Sequence, residues 1–182
     1  MQIYLCGLPT SGKTLLGKAL ANYLSAFFYD LDDLIVSNYG CELYSTCDEL
    51  YTVYGEERFR EWETEQLSFL SILSCSEESY VFALGGGTLM NKKAYQVIKN
   101  KGCIVFLSLA LSSVYARLHK RGLPKSLKKS AIQGTLEETL IQRIQRMTEI
   151  AHYTFPVDTI NLSDKNSVQR ACHTLHVLLL SK

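Results

Sequence analysis

Five short apolar runs punctuate the chain, at residues 3–6, 27–30, 80–84, 103–109 and 157–162. The first is apolar without alternation, which predicts a buried strand; 80–84 and 103–109 are likewise apolar and β-rich, and 27–30 and the more polar 157–162 read as two further strands. Between them hydrophobic residues recur every three to four positions. Leu16, Ala19, Leu20, Tyr23 and Leu24 mark one face of a helix that begins near Thr14, and Phe59, Trp62, Gln66, Phe69, Leu70 and Leu73 mark a face of another beginning near Glu56. Asp33 opens a further helical run, and the same period predicts helices over 92–99, 111–119, 136–151 and 167–180. Strands alternating with helices imply an α/β protein: a three-layer sandwich around a mainly parallel sheet. No repeat, low-complexity stretch or linker interrupts the pattern, so residues 1–182 are expected to form a single domain. One segment stands outside it. "KRGLPKSLKKSAIQG" (120–134) has a proline, two glycines and five basic residues, and is expected to be a mobile lid without regular structure.

Composition narrows the function classes. Hydrophobic residues make up 47% of the 182 and charged residues 20%, which suits an ordinary globular core. The 19 basic and 18 acidic residues leave a net charge of +1, which argues against a general nucleic-acid binder. No apolar run approaches the roughly 18 residues of a membrane span, and the start "MQIYLCG" has no basic leader region. The six cysteines, at 6, 41, 47, 75, 103 and 172, show no C-x-x-C pairing or metal-ligand spacing. Several sit within apolar runs, as small hydrophobes in a reducing cytoplasm.

The first chemistry lies between the first strand and the first helix. "GLPTSGKT" (7–14) is Gly-x-x-x-x-Gly-Lys-Thr in a strand–loop–helix setting. Such a loop aims backbone N–H groups and a helix N-terminus at a polyphosphate. Gly7, Thr10, Ser11, Gly12 and Lys13, with Thr14, Leu15, Leu16 and Gly17 at the helix start, make the expected ATP site. Lys13 is expected to reach the β- and γ-phosphates, and the Thr14 hydroxyl to ligate Mg²⁺.

Four more signals follow. "DLD" places Asp30 and Asp32 at the C-terminal end of the second strand, where open α/β sheets bind ligands. "GEERFREWETE" carries Arg60 beside an apolar helix face, "LGGG" places Gly85, Gly86 and Gly87 at the end of a strand, and "QRIQRMTEIAHY" carries Arg143 and Arg146 on one helix. Each also fits a structural role: helix caps for the aspartates, a surface ion pair for Arg60, a turn for the glycines, a solvated face for the late arginines.

Together these motifs resemble those of shikimate kinase, along nearly the whole chain: a phosphate loop, D-x-D, G-E-x-x-F-R, G-G-G, a lid with proline ("RGLPKSL") and a late helix with arginine. The resemblance implies the P-loop fold of the nucleoside monophosphate kinases, with five parallel strands, and ATP-dependent phosphorylation of a ring hydroxyl of shikimate. It implies Mg²⁺ supported by Asp30, a substrate hydroxyl met by Asp32, a carboxylate held by Arg60 and Arg146, and a backbone contact from Gly86. ATP and shikimate are then the partners of a cytoplasmic monomer. Three departures stand out. Leu123 precedes Pro124 where the family has arginine, so Arg121 is expected to supply the lid charge and Arg117 to serve the adenine or phosphate side, both as part of the ATP site, with Arg117 or Lys125 as alternatives for the lid charge. The late helix lacks the family's Arg-x-Pro-x-Tyr, which leaves Arg143 as the alternative to Arg146. Thr10 stands where many members have glycine. A related kinase for gluconate, which also offers a carboxylate, is the alternative activity. A nucleotide-dependent switch is disfavoured because D-x-x-G and N-K-x-D motifs do not occur.

Overall fold

The computed structural model describes residues 1–73 and 78–180. Five strands, β1 (Gln2–Cys6), β2 (Phe27–Asp30), β3 (Tyr80–Ala83), β4 (Cys103–Ser108) and β5 (Tyr153–Pro156), form one sheet in the order β2-β3-β1-β4-β5. Every pairing is parallel, with Leu5 opposite both Ala83 and Val105. The central strands are almost wholly enclosed, as their continuous apolar runs require. Tyr4 and Phe82 stack at 4.9 Å on one face.

Helices cover both faces. The first, α1 (Lys13–Tyr23), buries Leu16, Gly17, Leu20 and Ala21. Next, α2 (Leu31–Tyr39) starts where the Asp30 carboxylate accepts the Asp32 N–H at 3.0 Å, so Asp30 serves as an N-cap. α3 (Cys47–Leu73) is broken at Gly55, whose φ of 80° and ψ of 171° leave the helical region. The expected start near Glu56 is therefore the second limb of a longer helix. Its first limb escapes a periodicity search because few of its residues face the core. α4 (Lys92–Ile98) is capped by Asn91, and α5 (Leu111–Arg121) stops at Gly122. α7 (Leu136–Ile150) and α8 (Lys165–Leu180) follow the expected periods closely.

Two expectations need correction. The last strand is Tyr153–Pro156, not 157–162. Val157 continues the pairing by one bond, N–H to the Ser108 carbonyl at 2.9 Å, and the chain then turns. Pro156 hides this strand in the sequence, but β5 is an edge strand, where proline is tolerated. Segment 120–134, expected to lack regular structure, contains α6 (Lys125–Ile132), anchored by the fully buried Leu127. The expected helix at 167–180 keeps its place, beginning two residues earlier.

Candidate active site

A cleft of about 1150 Å³ opens at the C-terminal ends of the strands, the end at which parallel sheets place ligands. The phosphate loop, Asp30 and Asp32, Arg60, the three glycines and the rim of the α5–α6 segment all border it.

The loop is held from within and from outside. Lys13 Nζ donates to the carbonyls of Gly7 and Leu8 at 3.1 and 3.0 Å, so the ammonium lies curled across the loop. Burial pulls its pKa down, while Asp32, Cys6 and Asp30 pull it back up. Arg117 from α5 donates to the Thr10 carbonyl at 2.8 Å. Arg117 thus braces the loop and does not itself line the cleft. Leu15 borders the cleft, but Leu16 is fully buried and Gly17 packs where a Cβ would stand 2.6 Å from Phe28. Those two residues serve the core rather than presenting side chains to a nucleotide.

Thr10 is the strained member. Its φ is +68°, and its buried Oγ1 has no protein partner. A β-branched residue in the left-handed region is unfavourable by roughly 1–2 kcal/mol. Thr10→Gly is therefore expected to raise stability by about 1 kcal/mol, or about 2–4 °C in Tm. Thermal unfolding checks this, and a lower Tm would show that the hydroxyl contributes more than the backbone strain removes.

Next to the loop, Thr14 Oγ1 donates to Asp30 Oδ2 at 2.6 Å. A hydroxyl and a carboxylate in contact are two hard oxygen donors, the kind Mg²⁺ takes alongside phosphate oxygens and water. The residues fit the ion that the motif implies.

Asp32 sits deeper. Its carboxyl is pushed up to about 6, first by loss of solvation, then by the charge of Asp30, with Lys13 opposing. The side chain is ringed by protein yet faces the water of the cleft, which tempers that shift. Cys47, at the start of α3, donates its thiol to the Asp32 carbonyl at 3.3 Å.

The far wall is cationic. Arg60 Nη1 donates to Glu63 Oε2 at 2.8 Å, and Glu63 Oε1 accepts from Thr88 Oγ1 at 2.6 Å. Glu63 is 1% exposed. This buried carboxylate, three residues along α3, fixes the guanidinium's position, and Asn91 adds a bond to the Arg60 carbonyl at 2.8 Å. Sequence reasoning passed over Glu63. The available signal was an acid on the apolar face of "FREWETE", between Trp62 and Gln66.

The glycines let this wall close. A Cβ on Gly86 would lie 2.9 Å from Pro9 Cδ in the phosphate loop. A Cβ on Gly87 would lie 2.9 Å from Arg60 Nη2 and 3.4 Å from Arg143 Nη2. Two guanidiniums therefore converge on one point, and one anion could bridge them.

The second is Arg143, not Arg146. α7 buries Leu140, Arg143 and Met147, so Arg143 lies on its apolar stripe and is only 5% exposed. It donates to the Gly86 carbonyl at 3.3 Å and the Ser126 carbonyl at 3.5 Å. Burial, then the nearby charge of Arg60, push its pKa down to about 10, so it remains a cation at neutral pH. Arg146, one turn on, stands 4.9 Å over the Tyr95 ring and pairs with Glu149 at 3.8 Å. The expectation that Arg146 faces the acceptor is corrected on that geometry.

The sequence profile of the family described as "Shikimate kinase" matches residues 9–176. A shikimate kinase of Chlamydia pneumoniae is 50% identical over 181 residues, covering all of both chains. The chain belongs to the shikimate kinase family.

Among solved structures, shikimate kinase from Acinetobacter baumannii in complex with shikimate is similar with a TM-score of 0.80 and 27% identity, over 99% of this chain and 93% of that one. The Bacteroides thetaiotaomicron shikimate kinase gives 0.74 and 28%, over 98% of each. The fold is thus the P-loop, nucleoside monophosphate kinase-like α/β sandwich.

Leu123 is half-buried and packs against the core. Arg121 and Lys128 border the cleft, while Lys125 turns to a separate chamber behind it. Among the described residues, Cys6 and Cys172 are buried thiols, and Cys75 lies outside them. No described helix is long and apolar enough to cross a membrane.

Proposed function

We propose that this protein transfers the γ-phosphoryl group of ATP to the 3-hydroxyl of shikimate, giving shikimate 3-phosphate and ADP. The observation that carries this reading is the pair of guanidiniums, Arg60 and Arg143, converging beside Gly87, with Arg60 bordering the same cleft as the phosphate loop. They supply a fork for the acceptor's carboxylate, and Asp32 stands where a ring hydroxyl of that acceptor would turn towards the phosphates.

In this mechanism the loop amides and Lys13 bind the phosphates, and Lys13 exchanges its two loop carbonyls for phosphate oxygens. The hydroxyl oxygen forms the new bond to phosphorus as the bond to the β-phosphate oxygen breaks, and its proton passes to Asp32. Thr14 and Asp30 would hold Mg²⁺, which supplies charge neutralisation at the phosphates when bound. Arg121, at the C-terminus of α5, provides the lid charge that Leu123 cannot, and the loop at 121–124, ahead of the anchored α6, acts as the moving part of the lid that excludes water. The two arginines turn carboxylate binding energy into alignment of the hydroxyl. The chain is read as a monomer, and its free thiols suit the cytoplasm.

Gluconate shares the carboxylate but is a flexible chain, whereas a fixed fork facing a fixed base suits a rigid ring. ADP release measured with shikimate, gluconate and nucleoside monophosphates side by side tests the reading. Shikimate should exceed the others by orders of magnitude in kcat/KM; equal or greater turnover of gluconate would reject it.

The two late arginines should separate cleanly. Arg143→Ala is expected to raise KM for shikimate about tenfold to a hundredfold, the worth of a charge-assisted pair. Arg146→Ala should stay within about twofold, as an exposed ion pair allows. The reverse pattern in steady-state kinetics would return the acceptor role to Arg146.

A further inference from the structure

Behind the paired guanidiniums lies a second chamber of about 500 Å³, walled by α3, α6 and α7. It shares Tyr51, Arg60 and Ser126 with the main cleft, so the two spaces meet at Arg60. Its charge is one-sided. Arg60, Arg143, Lys125 and Lys129 line it against the single carboxylate of Glu56, which pairs with Arg60 at 3.5 Å and leaves Arg143 and the two lysines as the excess. That excess of positive charge belongs to a chain whose net charge is only +1.

The cations on the chamber side are poorly compensated. Arg143 is buried, yet its two partners are neutral carbonyls at 3.3 and 3.5 Å. Among the described residues neither it, Lys125 nor Lys129 is in an ion pair. Ser130 and Thr139, bonded to each other at 2.9 Å, add hydroxyls to the lining. Gln142 and Lys129 are exposed, so the chamber reaches solvent, while Arg143 forms its buried inner wall.

The chamber's walls are also fixed to the acceptor site. The Lys125 N–H donates to Asp48 Oδ1 at 2.9 Å, tying the start of α6 to α3. Leu127 anchors the same helix at 0% exposure. With α6 seated in this way, Lys125 and Lys129 are held beside the chamber while Lys128 turns to the main cleft.

We propose that this chamber is an access site for small carboxylates: it draws the acid in from solvent and passes its carboxylate inward to Arg143 and Arg60. The inference rests on the acceptor reading above and adds a route and two residues, Lys125 and Lys129. A concave, one-signed surface with protein walls raises the local concentration of opposite charge and speeds its arrival, an effect that salt suppresses. Arg60, facing both spaces, is the point of transfer between them. The lysines act on arrival, before phosphoryl transfer, so their effect belongs in the association rate.

Stopped-flow association of shikimate, measured at several salt concentrations, tests this with wild type, Lys125→Gln/Lys129→Gln and Lys125→Glu/Lys129→Glu. Wild-type association should slow as salt rises. The glutamate pair should reduce the low-salt rate about tenfold and flatten the salt dependence. The glutamine pair should lie between, with kcat at saturating shikimate and KM for ATP unchanged in both. Circular dichroism and Tm establish that each variant is folded; the milder glutamine pair carries the test should the glutamate pair be unstable. Unchanged association rate and salt slope would overturn the proposal. So would a fall in kcat with association intact, which would place the lysines in the transfer step. Wild type that neither binds nor phosphorylates shikimate would instead reject the acceptor reading itself, and the two failures are told apart by the wild-type arm alone.

Discussion

Lys13→Ala is expected to lower kcat by about 10²–10³-fold or more, the loss that follows removal of a preorganised group from the developing charge. Shikimate affinity should hardly change. The ammonium sits 3.0–3.1 Å from two loop carbonyls, on the phosphate side of the cleft. Arg60 and Arg143 converge instead beside Gly87. Lys13→Arg should not rescue, because a planar fork cannot lie in the curl of the loop where a compact ammonium does. Isothermal titration of shikimate alongside single-turnover kinetics checks both halves. Near-normal turnover in Lys13→Ala would remove the residue from the mechanism.

Asp32→Asn should reduce kcat by about 10²–10⁴-fold, the usual worth of a positioned base. It should also stabilise the folded protein, though only slightly, because the exposed carboxylate keeps much of its hydration. The Asp32 carboxyl is raised to about 6 from an ordinary value of 3.8. Above pH 6 the folded state therefore holds a charge that its surroundings disfavour. Below about pH 4 the carboxyl is protonated whether the chain is folded or not, and the penalty is gone. The amide carries no such charge, so the gain in Tm should be largest at pH 7–8 and fade as the pH falls through 6 towards 4. In wild type, kcat/KM for shikimate should fall about tenfold per pH unit below about 6 as the base becomes protonated. A variant both less active and less stable at pH 8 would show that Asp32 is structural, a helix-start carboxylate and no more. Lost activity with gained stability is the signature of a residue kept for chemistry.

Much of this molecule could be read from its pattern. The central strands are legible because burial on both faces leaves apolar runs with nothing else to mean, and β2 falls on the expected residues. The phosphate loop is legible because its spacing is set by backbone geometry around a phosphate. What stayed hidden is where tertiary contact overrides local signal. Pro156 argues against a strand, yet an edge strand accepts it. The α6 segment carries lysines, a neighbouring proline and glycines, and folds as a helix because Leu127 finds a buried place and Asp48 caps its first free N–H.

The acceptor wall shows the same division. Arg60 was visible because its motif is local. Arg143 and Arg146 lie three residues apart on one helix, and nothing in their immediate neighbours distinguishes them. The buried stripe of Leu140 and Met147 does, since an arginine on that stripe must face inward. Glu63 needed the same test: a carboxylate on an apolar face requires a partner, and Arg60 is it. In both cases the informative feature was a charge in an apolar position.

The central claim is that this cleft directs ATP's phosphoryl group to the ring hydroxyl next to Asp32, with the carboxylate clamped at the far end. Phosphorus–proton correlated NMR of the product made from ATP and shikimate tests this most directly, because it reports which atom received the phosphoryl group. The account predicts a single phosphoester coupled to the proton at ring carbon 3, formed in step with ADP. Inorganic phosphate as the main product, or a phosphoester at another ring position, would contradict it.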